Sequence, residues 1–329
     1  MTDAQRIEPE EIVDVLPRDA IAAILKPQMV SVVEADNEMH PQEMIVTLTV
    51  GDDSRAYPIS VLSAHEVVND TVGGDALAIT YCPLCFTSIV YARRVEGRDY
   101  TFGVSGKLAR NALVMYDHQT SSLWTQITGE AIDGPLKGVR LTPVPSGRLS
   151  WSIWKRRFPD GLVLSKSRSP RGAYEVDPYS GYYSSARVGL FGPGSVDQRL
   201  EEKQYVLGIA LAGRARAYPH SLLERKRVVN DVVAGTPVLV VFSGADQSAF
   251  VFERYVATSV ELTFRLAPGS DPDELRLEDE QSGGLWDGRS GEALAGPWRG
   301  WSLNRLPSTS AFWFAWHAHY PDTDVYQET

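Results

Sequence analysis

The chain has 329 residues, of which 43% are hydrophobic and 22% are charged, and its formal net charge is −10. This composition is typical of a globular protein and excludes both a disordered chain and a membrane chain, while the length predicts two domains or one enlarged domain. Nucleic acids and anionic membranes bind clustered Lys and Arg, so the negative charge excludes both as partners. We therefore expect a small-molecule substrate.

The first 27 residues, "MTDAQRIEPEEIVDVLPRDAIAAILKP", carry charges throughout. They contain no apolar stretch long enough for a signal peptide or a membrane span, which predicts a cytoplasmic protein. The chain has two cysteines, Cys82 and Cys85. Without an export signal, a disulfide framework is excluded, and a close cysteine pair indicates metal binding or redox chemistry.

In chain order, the first strong pattern is "EMIVTLTVGDDSRAYP", whose alternation predicts a hairpin that turns at Gly51-Asp52-Asp53. "YPISVLSAHEVVND" has the apolar spacing of a short helix, and "ALAIT" and "FTSIVYARR" are predicted strands on either side of the cysteines. "SWSIWKRRFP" is predicted to be a helix that ends at Pro159. The fold class predicted by these elements is α+β, mainly antiparallel β.

The chain contains an internal repeat. "AYPISVLSAHEVVND" from Ala56 returns as "AYPHSLLERKRVVND" from Ala217, "DHQTSSLWTQITGEAIDGPLKG" from Asp117 returns as "DEQSGGLWDGRSGEALAGPWRG" from Asp279, and "WSIWKRRFPD" returns as "WFAWHAHYPD". Two long copies are too few for a solenoid and predict two tandem β-rich domains related by pseudo-two-fold symmetry. Because such a pair already buries the surface that two single copies would share, we expect a monomer.

The predicted domains follow from this repeat. Residues 1–165 form the first repeat with the Cys/His site, residues 166–201 form a Gly/Pro/Tyr-rich connection packed on the repeats, and residues 202–329 form a second, degenerate repeat. Motifs kept in both copies are expected to be structural. Among them, Asn69-Asp70 and Asn230-Asp231 are expected to precede turns, because their side chains can bond nearby backbone N–H groups.

The positions that differ between the copies indicate where chemistry resides. Cys82 becomes Ser243, Cys85 becomes Asp246, His65 becomes Lys226, His118 becomes Glu280 and Gln126 becomes Gly288. This pattern predicts a site in the first repeat and a scaffold in the second; drift at exposed positions is the alternative. His317 and His319 lie in the degenerate copy and are expected to be solvated.

Three interpretations of "CPLC" are open. A redox dithiol resembles the thioredoxin motif, in which a helix N-terminus lowers the pKa of the first thiol, but the residues after Cys85 indicate a strand. A metal-binding knuckle would hold its ion with both thiolates, and His65 is the best third ligand, with His118 a weaker candidate. Two cysteines and one histidine with an open coordination position suit copper or zinc. Buried, inert cysteines are the third interpretation.

The segment "RAYPISVLSAHEVVNDTVGGDALAITYCPLCFTSIVYARR", with "LPRDAIAAILKP" upstream and "DPYSGYY" downstream, resembles the bacterial family of domain of unknown function 3179 (DUF3179). The family pattern has His-Glu, matched by His65-Glu66, and Cys-Pro-Leu-Cys, matched by Cys82 to Cys85, so the resemblance supports Cys82, Cys85 and His65 as the site. Family members usually carry Gly where this chain has Phe86, and a basic residue where it has His118, which suggests a substrate contact for His118. "FGVSGKLARNALVMYD" also matches and offers Ser105, Lys107, Arg110 and Asn111 as candidate substrate-binding groups.

The leading hypothesis is a copper-dependent oxidoreductase that activates dioxygen on a small organic substrate. Its metal ligands would be Cys82, Cys85 and His65. Its pocket would contain the catalytic candidates Arg110, Asn111, Gln126 and His118, and the substrate-binding candidates Ser105, Lys107, Tyr179, Tyr182 and Tyr183. The alternatives are a zinc enzyme with Lewis-acid or hydrolytic chemistry, a dithiol redox protein, and a non-enzymatic Cu(I) or zinc carrier. No nucleotide or flavin motif is present in the sequence.

Overall fold

The computed structural model describes residues 4–167, 174–192, 194, 196–257, 259–270 and 274–328. The described residues form two compact units. The larger unit contains residues 4–204 and 309–321, and the smaller unit contains residues 205–308 and 322–328. Residues 309–321 thus belong to the larger unit, whereas the sequence assigned them to the second repeat.

The larger unit begins with a 3-10 turn at Pro9–Glu11. Its helices before residue 205 are α1 (Val32–Ala35), α2 (Ile59–His65), α3 (Trp151–Arg157) and α4 (Ser180–Ser184). Its strands in the same part of the chain are β1 (Ile12–Asp14), β2 (Met29–Ser31), β3 (Met44–Val50), β4 (Asp53–Pro58), β5 (Val67–Val72), β6 (Asp75–Cys82), β7 (Thr87–Ala92), β8 (Arg94–Val95), β9 (Arg98–Asp99), β10 (Phe102–Ala109), β11 (Ala112–Asp117), β12 (Leu123–Thr125), β13 (Ala131–Asp133), β14 (Pro143–Val144), β15 (Gly147–Ser150) and β16 (Leu162–Leu164).

The remaining elements are also mainly β-strands. Its elements are β17 (Tyr205–Leu211), β18 (Arg214–Pro219), α5 (His220–Lys226), β19 (Val228–Val233), β20 (Thr236–Ser243), β21 (Ser248–Glu253), β22 (Tyr255–Val256), β23 (Val260–Glu261), β24 (Phe264–Leu266), β25 (Arg276–Asp279), β26 (Leu285–Asp287), β27 (Ala293–Ala295), β28 (Thr309–Phe312), α6 (Trp313–His319) and β29 (Asp324–Val325). Strand β28 and helix α6 belong to the larger unit. In the described part of the chain, no helix is long and apolar enough to cross a membrane.

The sheets are mainly antiparallel, as predicted. In the larger unit the strand orders are β14-β7-β6-β5, β15-β3-β4-β16-β2 and β1-β10-β11-β12-β13, and the pair β4–β16 is parallel. In the smaller unit they are β17-β18-β29, β19-β20-β21 and β24-β25-β26-β27. The predicted hairpin of β3 and β4 and the predicted helices α2 and α3 are present.

Strand β6 positions the cysteines because one of its faces is held firmly in the core. Tyr81 and Ile79 on that face pack with Leu62 of α2 and Tyr57 of β4 in one buried cluster. Side chains alternate along a strand, so Thr80 and Cys82 lie on the opposite face. The buried cluster therefore fixes the register that presents Cys82.

Asn69 and Asp70 lie inside β5, which leads into the turn at Gly73-Gly74, and Asp70 accepts the neighbouring Thr71 N at 2.7 Å as expected. The amide of Asn69 instead donates to Phe102 O at 2.8 Å and accepts from Phe102 N at 2.8 Å. Asp70 also accepts the Tyr57 hydroxyl at 2.7 Å. These buried side chains therefore also join neighbouring strands.

Candidate functional site

Cys82 is the last residue of β6, and Cys85 lies in the tight turn before β7. The turn is closed by a hydrogen bond from Phe86 N to Pro83 O at 3.3 Å, and the Cα of Cys82 pairs with that of Thr87. Phe312 N, from β28, donates to Cys85 O at 2.9 Å. Both cysteines are free thiols, and their exposed fractions are 1% and 0%.

The two sulfurs have different environments. Burial by itself raises the pKa of Cys82, but hydrogen bonds from the Cys85 thiol and from the backbone N–H groups of Cys85, Leu113 and Leu84 outweigh it, and the pKa lies below the usual value. Burial raises the pKa of Cys85 well above the usual value, and the neighbouring Cys82 adds to this effect. The Cys85 thiol has a second acceptor in Asn111 O, 3.4 Å away. Cys82 is therefore the more acidic thiol of the pair, and Cys85 is the less acidic one.

Glu66 is the acidic neighbour of this pair. It follows α2 with a φ of 57°, and its backbone carbonyl accepts Tyr81 N at 2.8 Å. Part of the residue reaches solvent, but the carboxyl group lies inside the protein, and burial followed by the charge of Cys82 raises its pKa to about 8. Sequence reasoning did not place Glu66 in the site. Its replacement by Arg227 in the second repeat was the available signal.

Tyrosines from residues 174–183 cover the site; we call Tyr174, Tyr179, Tyr182 and Tyr183 the tyrosine cover. The Tyr182 hydroxyl donates to Leu84 O at 2.8 Å and accepts from Gly189 N at 2.9 Å. The Tyr183 and Tyr81 hydroxyls are 2.9 Å apart. The charges of Glu66 and Cys82 contribute, after burial, to raising the pKa of Tyr179. The cover thus contacts residues that are next in sequence to both cysteines.

Phe86 has a φ of 52°, a backbone conformation that favours glycine. Aromatic packing holds it there. Its ring centroid lies 4.2 Å from that of Tyr183 and 5.5 Å from that of Phe312, and the Arg148 guanidinium lies 4.2 Å from its centre. The bulky residue at this position therefore joins the turn to the tyrosine cover.

His65 borders the site, but both of its ring nitrogens are engaged. Nδ1 lies 2.7 Å from Ala22 O, and Nε2 lies 2.6 Å from the Tyr174 hydroxyl. Across the described ranges, no group of three or more His, Cys, Asp or Glu side chains is arranged to hold a metal ion. A metal with His65 as its third ligand stays a prediction.

Arg110 and Asn111 form the turn between β10 and β11, with φ values of 49° and 63°. The Arg110 guanidinium binds both carboxylate oxygens of Glu11, at 2.6 and 2.8 Å, and Ala318 O at 2.7 Å. The Asn111 side chain bonds Leu190 N and Gly192 O. Both residues line a cavity of about 490 Å³. Asn111 is the direct link from this cavity to Cys85, because its carbonyl accepts the Cys85 thiol.

Gln126 lies on the sulfur side of the β6–β7 hairpin and is fully buried. Its Nε2 donates to Thr80 Oγ1 at 3.1 Å, and its backbone N donates to Leu113 O at 3.0 Å. Leu113 N–H is one of the donors to Cys82 Sγ. The structure therefore brings Gln126 close to Cys82 Sγ. Arg110, by contrast, binds Glu11 and Ala318, which are far apart in the sequence.

The other predicted contact residues lie at the following places. Ser105 is buried and donates to Val114 O at 2.5 Å beside the bulge of β10. Lys107 pairs with Asp14. His118 is exposed and stacks on Tyr116 with centroids 5.2 Å apart. Each of these three side chains contacts a residue outside the cysteine turn.

The expectation that His317 and His319 are solvated is wrong. Both are buried in α6, with exposed fractions of 3% and 0%. His319 Nδ1 lies 2.9 Å from Ala315 O, and burial lowers the pKa of His319 to about 4. Helix α6 carries Trp313, Phe314 and Trp316 on several sides and is apolar almost throughout, so its histidines are enclosed as well.

No curated protein and no solved structure matches the chain. The model of the family described as a protein of unknown function (DUF3179) matches residues 18–323, a range that includes both cysteines. The chain therefore belongs to the DUF3179 family.

Proposed function

We propose that Cys82 and Cys85 form a redox-active dithiol that exchanges with disulfides. The hydrogen bonds to Cys82 Sγ carry this proposal, because three backbone N–H groups and the Cys85 thiol favour the thiolate at one sulfur of a close pair. The turn and Leu113 of β11 supply these donors without the helix N-terminus of thioredoxin-like proteins. Glu66, protonated at neutral pH, is the proton carrier beside them.

The exchange would proceed in two steps. The Cys82 thiolate attacks one sulfur of a substrate disulfide, so that a mixed disulfide forms, the substrate S–S bond breaks, and the leaving thiolate takes the proton of Glu66. Cys85 then gives its proton to the Glu66 carboxylate and attacks Cys82 Sγ. A Cys82–Cys85 disulfide forms, the mixed disulfide breaks, and the second substrate sulfur leaves as a thiolate that takes its proton from water. The substrate gains two electrons and the pair loses two, which an external thiol restores.

Two further features support a small substrate. Both sulfurs are buried beneath the tyrosine cover, so a protein partner could not reach them directly. Asn111 lines the cavity, and its carbonyl oxygen is an acceptor of the Cys85 thiol. We also propose that the two repeats arose by duplication and that the first one kept the chemistry.

A redox titration tests the proposal. The protein is equilibrated in graded ratios of reduced to oxidised glutathione, quenched in acid, alkylated and analysed by mass spectrometry. We expect one two-electron transition to a Cys82–Cys85 disulfide, which Cys85→Ala and Cys82→Ala each abolish. A wild-type pair that stays fully reduced in the most oxidising buffer, after unfolded protein in the same buffer has become oxidised, contradicts the proposal.

A further inference from the structure

The smaller unit contains a buried cation at the positions that correspond by sequence to the cysteine turn. The counterparts of Cys82, Cys85 and Thr87 are Ser243, Asp246 and Ser248. The Arg289 guanidinium donates to Ser243 Oγ at 2.8 Å and to Ser248 Oγ at 3.0 Å, and it pairs with Asp246 at 3.3 Å. Arg289 and these three partners are buried. This turn therefore encloses a positive charge next to a negative one.

The first repeat has other residues at the positions that correspond to Arg289 and its neighbour. Gly288-Arg289 corresponds to Gln126-Ile127, so a neutral amide and an alkyl group replace the cation. Gln126 Oε1 and Thr87 Oγ1 are buried and have no hydrogen-bond partner among the described residues. Two acceptor oxygens and two sulfurs thus lie together on one face of the β6–β7 hairpin. Buried polar atoms without partners are uncommon and indicate a missing group.

The sulfurs determine which cation fits. Thiolates are soft ligands that select Cu(I), whereas Mg²⁺ and Ca²⁺ require oxygen ligands. We propose that the reduced Cys82–Cys85 pair binds one Cu(I) ion, which takes the place that the Arg289 guanidinium has in the smaller unit. Binding displaces the thiol proton of Cys85 to solvent and changes no oxidation state. Gln126 Oε1 and Thr87 Oγ1 act as neighbours of the ligands, and His65 is not required.

This inference is separate from disulfide exchange, and a competition experiment tests it. Reduced full-length protein is titrated without oxygen against the Cu(I) complex of bicinchoninate, with Zn²⁺ in a parallel series. We expect one Cu(I) per chain, weaker binding of Zn²⁺, and loss of binding in the Cys82→Ser, Cys85→Ser double variant. Gln126→Leu keeps the bulk and removes Oε1, and we expect about tenfold weaker binding.

The sharpest control introduces into the first repeat the two residues that the second repeat has at the corresponding positions. The double variant Gln126→Gly, Ile127→Arg is expected to place a guanidinium beside Cys82 and to block Cu(I); if this variant does not fold, Gln126→Leu carries the test. Wild-type protein that binds no Cu(I), or a double serine variant that binds it equally well, overturns the inference. Absent Cu(I) binding with an intact Cys82–Cys85 redox transition leaves the proposed function standing, and Cu(I) binding without that transition overturns the proposed function alone.

Discussion

Cys82 is subject to two opposing effects, burial of its sulfur and hydrogen bonding to it. Burial favours the neutral thiol, whereas each N–H directed at the sulfur favours the thiolate. The three backbone donors and the Cys85 thiol decide the balance at Cys82, whereas burial decides it at Cys85. The pKa of one cysteine in this turn is thus lowered, and the pKa of the other is raised. A nucleophilic cysteine and its resolving partner need this difference.

Glu66 predicts a specific dependence of stability on pH. Its carboxyl pKa is about 8 in the folded protein and 4.5 in the ordinary state, so the folded state holds one more proton between these values. The free energy of unfolding therefore falls as pH rises from about 4.5 to about 8. In Glu66→Gln this contribution is absent. We therefore expect the free energy of unfolding of the variant, measured with urea, to increase relative to that of the wild type as pH rises through this range.

Cys82→Ala provides the control, because the Cys82 charge is the smaller of the two causes of the Glu66 shift. Its stability should still fall over the same range, by a smaller amount than in the wild type. Parallel wild-type and Glu66→Gln curves between pH 4.5 and 8 would show that Glu66 titrates normally and plays no part in proton transfer.

At the scale of elements, α4 and the residues around it control access to the sulfurs. The Tyr182 hydroxyl bridges Leu84 O, inside the cysteine turn, and Gly189 N. Lys203 Nζ binds Tyr182 O and lies 4.0 Å from the centre of the Tyr182 ring. The cover is thus held by a few polar contacts together with the packing of the Tyr182 and Tyr183 rings against Phe312.

Tyr182→Phe should open this cover more often. The lost hydroxyl contacts contribute about 0.5–1.5 kcal/mol, so we expect iodoacetamide to alkylate the native cysteines roughly 2- to 10-fold faster. Tyr116→Phe is the matched control, because the Tyr116 hydroxyl binds Asp19 and not the cysteine turn. Equal rates in Tyr182→Phe, Tyr116→Phe and the wild type would show that Tyr182 does not limit access.

The elements were predictable where the sequence has regular periods. Alternation along Met44–Pro58 and helical spacing in Ile59–His65 predicted β3, β4 and α2, because each needs one apolar face for the same core. Asn69 was misread because its partner Phe102 is 33 residues away, and the sequence does not display such a contact. Glu66 was missed for a related reason, since its raised pKa depends first on burial and then on the charge of Cys82, which is close to it only in the folded chain.

At the scale of the whole molecule, two segments of the chain contain the same order of elements. Strands β3 and β4, helix α2 and strands β5 to β7 have the same lengths as β17, β18, α5 and β19 to β21. Two turns that are far apart in the sequence therefore lie between strands of the same length. One turn has free thiols, and the other has the Arg289–Asp246 pair. The turn forms without sulfur, which supports a chemical role for the cysteines.

The most direct test of the account is the reaction of single-cysteine variants with oxidised glutathione at neutral pH, followed by mass spectrometry. Cys85→Ala should accumulate one glutathione on Cys82, because the thiolate reacts and no resolving thiol remains. Cys82→Ala should react at least about tenfold more slowly, because Cys85 keeps its proton. Equal rates for the two variants, or faster reaction at Cys85, would contradict the assignment of Cys82 as the nucleophile.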